Sequence, residues 1–187
     1  MSCIDTDEIS MIAEFLQKHD HKSASAKIDE VWQLWKNLDK KHISTLLEGR
    51  ALGISAIALG SEFSKIAKYD DAMHELLLAK EIFRILVENA SHIDTPMLGA
   101  EKYAKQIDAL IKQLPSPKLV MFSLSRRLNE RECEKLKSLG EWCMVITNDE
   151  EEIAVWCRGR DRPTRVREML HLEFGIEHSF RLIPTGF

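Results

Sequence analysis

Residues 113–122 read QLPSPKLVMF, and this stretch divides the chain into two parts. Pro115 and Pro117 stand one residue apart, and two prolines so close together stop a helix and favour extended chain. The pattern before them is helical, whereas the run that begins at Lys118 is strand-like. The sequence therefore predicts a domain boundary after Leu114, with a helical domain over 1–114 and an α/β domain over 115–187.

The charge balance changes at the same boundary. The first domain has 12 Lys and 2 Arg against 18 acidic residues, and the second has 3 Lys and 9 Arg against 12 acidic residues. The net charge is therefore −4 in the first domain and zero in the second. With 44% hydrophobic residues in 187 positions, the chain has the composition of a globular protein that buries a core.

The N-terminal residues do not have the pattern of a targeting signal. The first ten residues, MSCIDTDEIS, lack the basic region and apolar core of a signal peptide. No apolar stretch approaches the ~20 residues that a membrane span requires. The sequence therefore predicts a cytoplasmic protein without a membrane span.

About five helices are predicted in the first domain. The first, over 4–19, begins with a capping box in which Asp5 is the N-cap and Glu8 lies three residues later. The second carries Trp32 and Trp35 in an apolar stripe at helical spacing. Such a pair can form a ligand platform, but this spacing favours a place in the core.

The third helical pattern, from about residue 44 to 67, contains Gly49, Gly53 and Gly60. Glycine in a helix interior costs up to ~1 kcal/mol relative to alanine. These glycines therefore indicate either close approach of a neighbouring helix or a break near Gly49–Gly53. A fourth helix is predicted over 71–89. A fifth is predicted to begin at Thr95-Pro96 and to run to Leu114.

The helices on either side of Tyr69 carry small and aromatic residues at regular positions. In residues 59–83, LGSEFSKIAKYDDAMHELLLAKEIF, these are Leu59, Gly60, Phe63, Tyr69, Ala72, Leu76 and Ala79. This spacing resembles a tetratricopeptide repeat, in which small residues let two antiparallel helices touch. Together with the fifth helix, residues 51–114 are similar to a MIT domain. A tightly packed helical bundle explains the same residues, and both interpretations predict an antiparallel hairpin.

The repeat resemblance implies a groove for a helix or extended peptide of a protein partner. Ile54 and Ile57 would be its apolar anchors, as recognition in a groove requires. The alternative is that both isoleucines pack against the tryptophan helix. The groove side of the third helix would carry Ile54, Ile57, Ser61, Ser64 and Lys65.

Strands and helices alternate in the second domain. A strand over 118–124 is followed by a helix that Asn129 caps and Gly140 ends. Two apolar runs, 142–147 and 153–157, are joined by an acidic connection that suits a hairpin loop.

The last helix is predicted to begin at Arg162-Pro163 and to place Val166, Met169 and Leu170 on one face. The chain then closes with a strand in which Ile176, His178, Phe180 and Leu182 alternate with polar residues, as in a half-buried strand. The order β-α-β-β-α-β predicts a ferredoxin-like domain. The predicted fold class of the whole chain is therefore α+β.

Five of the eleven arginines stand in ten positions near the last helix: Arg158, Arg160, Arg162, Arg165 and Arg167. Guanidinium groups bind phosphate and carboxylate in a bidentate way, and a helix N-terminus adds partial positive charge. The cluster is therefore interpreted as an anion or nucleic-acid patch, with a solvated or partner-facing surface as the alternative. Acidic neighbours such as Asp161 and Glu168 weaken the nucleic-acid interpretation, since nucleic-acid sites usually present a basic face.

No catalytic motif appears in the sequence, and a non-enzymatic protein is expected. Cys3, Cys133, Cys143 and Cys157 have no metal-ligand spacing and are interpreted as reduced packing residues, so no metal or cofactor is expected. The leading hypothesis is an adaptor or scaffold protein that binds a protein or peptide partner in its helical groove, while the α/β domain provides a second contact or self-association. The alternative is a nucleic-acid-binding regulator that uses the arginine cluster.

Overall fold

The computed structural model describes residues 6–90, 99–146 and 151–183. The chain divides into two compact units, residues 1–114 and 115–187. The first unit is helical and the second combines four strands with helices, so the fold class is α+β, as the sequence predicts.

Five helices make up the described part of the first unit, and each packs against the next along the chain. Residues Ile4, Asp5, Thr95 and Pro96, on which the sequence analysis placed helix starts, lie outside the described residues. The fifth helix is seen from Ala100, with Gly99 as its N-cap. The helices are α1 (Thr6–Gln17), α2 (His21–Trp35), α3 (Ile43–Lys65), α4 (Tyr69–Ala90) and α5 (Ala100–Gln113).

Helix α3 is unbroken, and its glycines lie where other helices approach closely. A Cβ atom at Gly49 would overlap the Trp35 indole. At Gly53 it would lie 2.8 Å from the Phe83 ring, and at Gly60 2.9 Å from Leu76. The early part of α3 thus faces the late part of α4, and the end of α3 faces the start of α4. The pair is the antiparallel hairpin that both the repeat and the bundle interpretations predict.

Trp35 lies in the core rather than in a ligand platform. Its side chain is fully buried, and its indole Nε1 donates a hydrogen bond to the Thr45 carbonyl at 2.7 Å. Trp32 is half-buried and stacks on Trp35 with ring centroids 5.8 Å apart. The core interpretation of the tryptophan stripe is therefore confirmed.

Among the described residues, α3 is the one helix that is long and apolar enough to cross a membrane. Half of its most apolar window is buried inside the fold. A buried core helix meets the same criteria of length and composition, and α3 packs against α1, α2 and α4 in the centre of the helical unit.

The second unit has the predicted strand and helix order, and all its strand pairs are antiparallel. The sheet order is β2-β3-β1-β4, which is the ferredoxin-like arrangement. Helix α7 continues into a π-helical turn, Met169–Glu173. The elements are β1 (Lys118–Leu124), α6 (Glu130–Lys137), β2 (Cys143–Ile146), β3 (Glu152–Cys157), α7 (Asp161–Glu168) and β4 (His178–Ile183).

One face of this sheet forms a core with both helices. Val120 and Phe122 of β1 and Val155 of β3 are buried there with Leu136 of α6 and Val166 of α7. Asn129 caps α6 through a reciprocal capping box with Glu132, as the sequence indicates. Cys133, Cys143 and Cys157 are buried in this core, and burial raises the pKa of Cys143 to about 11. Their interpretation as packing residues is confirmed, whereas Cys3 lies outside the described residues.

Strand β4 departs from the half-buried pattern that its sequence predicts. Phe180 pairs with Phe122 and Leu182 with Val120 in the antiparallel register, so both face the same side as the core. Nevertheless Phe180 is 59% exposed and Leu182 is 60% exposed. The alternation predicts the correct face, but α7 does not cover it at this edge of the sheet.

Candidate binding groove beside strand β4

The uncovered part of the core-side face forms a groove between α7 and β4. Its volume is about 440 Å³. Buried Val120 and Phe122 lie at its apolar base, next to the exposed side chains of Phe180 and Leu182. The groove is lined by Lys118, Val120, Phe122, Cys157, Gly159, Arg160, Pro163, Thr164, Arg167, Phe180 and Leu182.

Three cations line the same groove. Lys118 begins β1, Arg160 is the N-cap residue of α7, and Arg167 lies in the last turn of that helix. All three side chains are exposed, and none makes an ion pair within the described parts of the chain. The site therefore combines an apolar base with unpaired positive charge.

The backbone of β4 offers a further binding element. In the sheet order β2-β3-β1-β4 this strand is at the edge, and β1 is its partner on one side. Across residues 6–90, 99–146 and 151–183 no strand pairs with its other side. An edge strand presents a row of N–H and C=O groups that a further extended chain can bond.

The structure separates the five arginines of the cluster into two groups. Arg160, Arg165 and Arg167 are exposed, whereas Arg158 and Arg162 are half-buried. Arg158 donates a hydrogen bond to the Pro115 carbonyl at 2.8 Å. Arg162 donates one to the Trp156 carbonyl at 3.1 Å, and its guanidinium lies 5.0 Å from the Trp142 ring centroid. Arg158 and Arg162 therefore serve the fold, and the exposed part of the cluster consists of Arg160, Arg165 and Arg167.

This division predicts different costs for different arginines. Changing Arg160, Arg165 and Arg167 together to glutamine should leave the melting temperature nearly unchanged, since exposed charges contribute ~0–1 kcal/mol. Arg162→Gln alone should lower stability by about 1–2 kcal/mol, because it removes a charged hydrogen bond and a cation–π contact. Thermal melts followed by circular dichroism compare the two variants. A triple variant that melts earlier than Arg162→Gln would contradict this division.

The residues predicted to line a groove on α3 are mostly buried or half-buried. Ile57 is 5% exposed and belongs to the helical core, and Ile54 is half-buried against that core. Ser61 donates a hydrogen bond to the Ile57 carbonyl within its own helix at 2.9 Å, and Lys65 pairs with Glu62 at 2.6 Å. Ile57 is thus buried and Ile54 half-buried in the core of the helical unit, and Ser64 is half-buried as well.

An RNA-binding platform is also not supported by the placement of aromatics. An RNA-binding version of this fold stacks bases on aromatic residues of the two central strands, on the face away from the helices. Phe122 is turned into the core with the helices and is 1% exposed. On the opposite face, β1 and β3 carry Met121, Ala154 and the half-buried Trp156. Trp156 is therefore the one aromatic that these two strands place on that face.

Comparisons with models of known protein families, with curated proteins and with solved structures gave no match. The groove must therefore be interpreted from its own chemistry.

The density of arginine in the sequence predicts Arg160 and Arg167 as candidate site residues. It does not predict Lys118, the third cation of the groove, or the exposed apolar residues beside it. Phe180 and Leu182 were assigned to the core, because alternation along a strand indicates which face a residue occupies and not whether a helix covers it.

Proposed function

We propose that this chain is a non-enzymatic, cytoplasmic adaptor whose C-terminal unit binds an extended, acidic segment of a partner protein. The segment would add to the free edge of β4 and place apolar side chains in the groove. The observation that carries the proposal is the exposure of Phe180 and Leu182 on the face that otherwise forms the core.

The apolar surface supplies part of the binding free energy. Full burial of a phenylalanine or leucine side chain stabilises a complex by about 1.5–3 kcal/mol. Phe180 and Leu182 are more than half exposed, so covering both contributes on the order of 2–3 kcal/mol. Side chains two residues apart in an added strand point to the same side. An apolar residue at every second position can therefore reach this surface.

The edge of β4 supplies main-chain hydrogen bonds and fixes the direction of the segment. Strand addition obtains affinity from backbone bonds and specificity from pockets for alternate side chains. The described strand His178–Ile183 is six residues long, which is enough to pair with a short peptide.

The cations determine the charge of the partner. Lys118, Arg160 and Arg167 lie along the groove without ion pairs among the described residues, so carboxylates on the segment would pair with them. A nucleic acid is the less favoured ligand, because the groove is apolar at its base and the central strands lack a pair of aromatics on the open face.

The helical unit would add a second contact in this proposal. Its resemblance to a tetratricopeptide repeat suggests a role in protein binding, although Ile57 is buried. The C-terminal unit is therefore the primary site, and self-association through β4 is an outcome that the experiment below can detect.

Fluorescence polarisation with labelled peptides tests the proposal. The probe is an eight-residue peptide whose inward-facing positions alternate valine with glutamate and whose other positions are threonine, so that valine and glutamate both face the groove. The comparison peptide has lysine in place of each glutamate. We expect the glutamate peptide to bind and the lysine peptide not to bind. Leu182→Glu should weaken binding by ~10-fold or more, since it replaces an apolar contact with a repulsive charge.

Ser179→Glu is the matched control, because it adds the same charge on the opposite face of the same strand and should have a much smaller effect. Equal binding of both peptides would reject the proposal, as would equal effects of the two variants. Binding of single-stranded RNA that weakens steeply with salt, together with no peptide binding, would favour the nucleic-acid alternative. A dimer that Leu182→Glu dissociates would identify a second copy as the occupant.

A further inference from the structure

The turn between α1 and α2 brings two histidines close to a glutamate of α3. His19 lies in the turn, His21 is the first residue of α2, and Glu62 lies near the end of α3. One ligand atom from each side chain can be chosen so that all three lie within 4.8 Å of one another. Two imidazoles and one carboxylate form a donor set that Zn²⁺ binds.

His21 has an available ligand atom. Its Nε2 is buried and has no hydrogen-bond partner within the described parts of the chain. A buried nitrogen without a partner costs free energy, and native structures usually satisfy such atoms. A metal ion between the three side chains would satisfy this one. The ring also packs against Phe63 with centroids 5.6 Å apart, which orients it beside α3.

The backbone holds His19 in an uncommon conformation. Its φ is 54°, in the left-handed region, where the residue after a helix is usually glycine. The turn is closed by hydrogen bonds from the His19 amide to Leu16 O at 3.1 Å and from the Asp20 amide to Phe15 O at 2.9 Å. A histidine in this conformation costs more backbone free energy than glycine. In it, the ring centroids of His19 and His21 are 6.0 Å apart.

The carboxylate of Glu62 is ionised, and its side chain can rotate toward the histidines. Lys65 donates a hydrogen bond to its Oε1 at 2.6 Å and thereby lowers the pKa of the Glu62 carboxyl. Both histidines also lower this pKa, although they contribute less. Ligand atoms around tetrahedral zinc are roughly 3.3–3.5 Å apart, so each atom would move inward by about 1 Å. Side-chain rotation supplies this movement, since His19 is exposed and Glu62 is half-buried.

We propose that His19, His21 and Glu62 bind a divalent transition-metal ion of the zinc class. The ion would join the α1–α2 turn to α3 and leave a fourth position for water or a ligand from a partner. This site and the groove beside β4 share no residues, so the metal proposal does not depend on the proposed function and is tested separately from it. The cysteine spacing predicts no metal, and the spacing of His19 and Glu62 does not indicate this site because they are far apart along the chain.

Isothermal titration of the full chain with zinc chloride at neutral pH tests the site. We expect one ion per chain and a higher melting temperature when zinc is present. His19→Gln and Glu62→Gln should each weaken binding by ~10-fold or more, while circular dichroism shows an unchanged fold. His74→Gln is the matched control and should bind zinc as the parent does.

Several outcomes would overturn the proposal. One is the absence of zinc binding, and another is unchanged zinc affinity in His19→Gln. A third is zinc binding that disappears after alkylation of the cysteines and not after His19→Gln. Cobalt substitution gives an independent readout, since a tetrahedral site produces visible absorption that the variants should lose.

Discussion

Trp35→Ala should destabilise the helical unit by about 3–5 kcal/mol, the range found for truncating a buried aromatic to alanine. The indole is fully buried and fills the space that Gly49 leaves on α3. Its removal opens a cavity and also deletes the hydrogen bond to the Thr45 carbonyl. Since whole domains are stable by only about 5–15 kcal/mol, this change should be visible in urea unfolding followed by far-ultraviolet circular dichroism.

Trp32→Ala is the matched control for this prediction. Trp32 lies on the same helix and stacks on Trp35, but it is half-buried. Its truncation should cost roughly 1 kcal/mol, within the range of ordinary substitutions. Equal losses in the two variants would contradict the assignment of Trp35 to the core and would reopen the ligand-platform interpretation.

The second large effect concerns Glu75, a buried carboxyl between α2 and α4. Its side chain is fully buried, and Ser25 Oγ donates a hydrogen bond to Oε1 at 2.5 Å. Oε2 is buried without a hydrogen-bond partner among the described residues. Burial raises the pKa of Glu75 to about 7, and the hydrogen bond from Ser25 and the nearby charge of His74 oppose part of this rise.

The raised pKa makes stability fall as pH rises. Between the ordinary carboxyl pKa of 4.5 and about 7 the folded state holds a proton that the unfolded state has released. Ionised Glu75 therefore destabilises the fold above about pH 7, and below about pH 4.5 the penalty is absent. At 1.36 kcal/mol per pKa unit the full effect is about 3 kcal/mol. Glu75→Gln should therefore stabilise the chain by up to about 3 kcal/mol at pH 8 and by little at pH 4.

The neighbouring histidine acts in the same direction. His74 bonds Asp29 at 3.4 Å, which raises the pKa of His74, so its stabilising proton is lost as pH rises. Glu75→Gln should accordingly keep a residual pH dependence. Glu81→Gln on the same helix is the control, because Arg84 lowers the pKa of Glu81 and no gain at pH 8 is expected. The free energy of unfolding of each variant is measured by urea unfolding at pH 4 and pH 8. An equal effect of Glu75→Gln at the two pH values would contradict the account.

Much of the fold could be predicted from local sequence chemistry. Asn129 with Glu132, the apolar run of β3 and the stripe around Trp35 each encode structure within a few residues. The role of Gly49, Gly53 and Gly60 could not be predicted from the sequence alone, because it is compatible with either a helix break or the close approach of another helix. The positions of the neighbouring helices decide between the two.

The candidate sites were harder to predict because they depend on contacts between distant segments. The exposure of Phe180 and Leu182 depends on the path of α7 across the sheet. Whether Arg162 faces solvent depends on the positions of Trp142 and Trp156. Glu75 is buried because α2 packs against α4 at this position. The sequence of α4 alone does not indicate this burial, since it places other charged residues on neighbouring turns.

Hydrogen exchange of β4 tests the central claim most directly. The amides of His178–Ile183 are measured in the full chain with and without the peptide whose inward-facing positions alternate valine with glutamate. Bonding of the free strand edge should slow exchange at alternate amides of β4, and a peptide methylated on its inward-facing amide nitrogens should not produce this protection. Protection confined to the helical unit, or unchanged exchange along β4 at saturating peptide, would contradict the proposed groove.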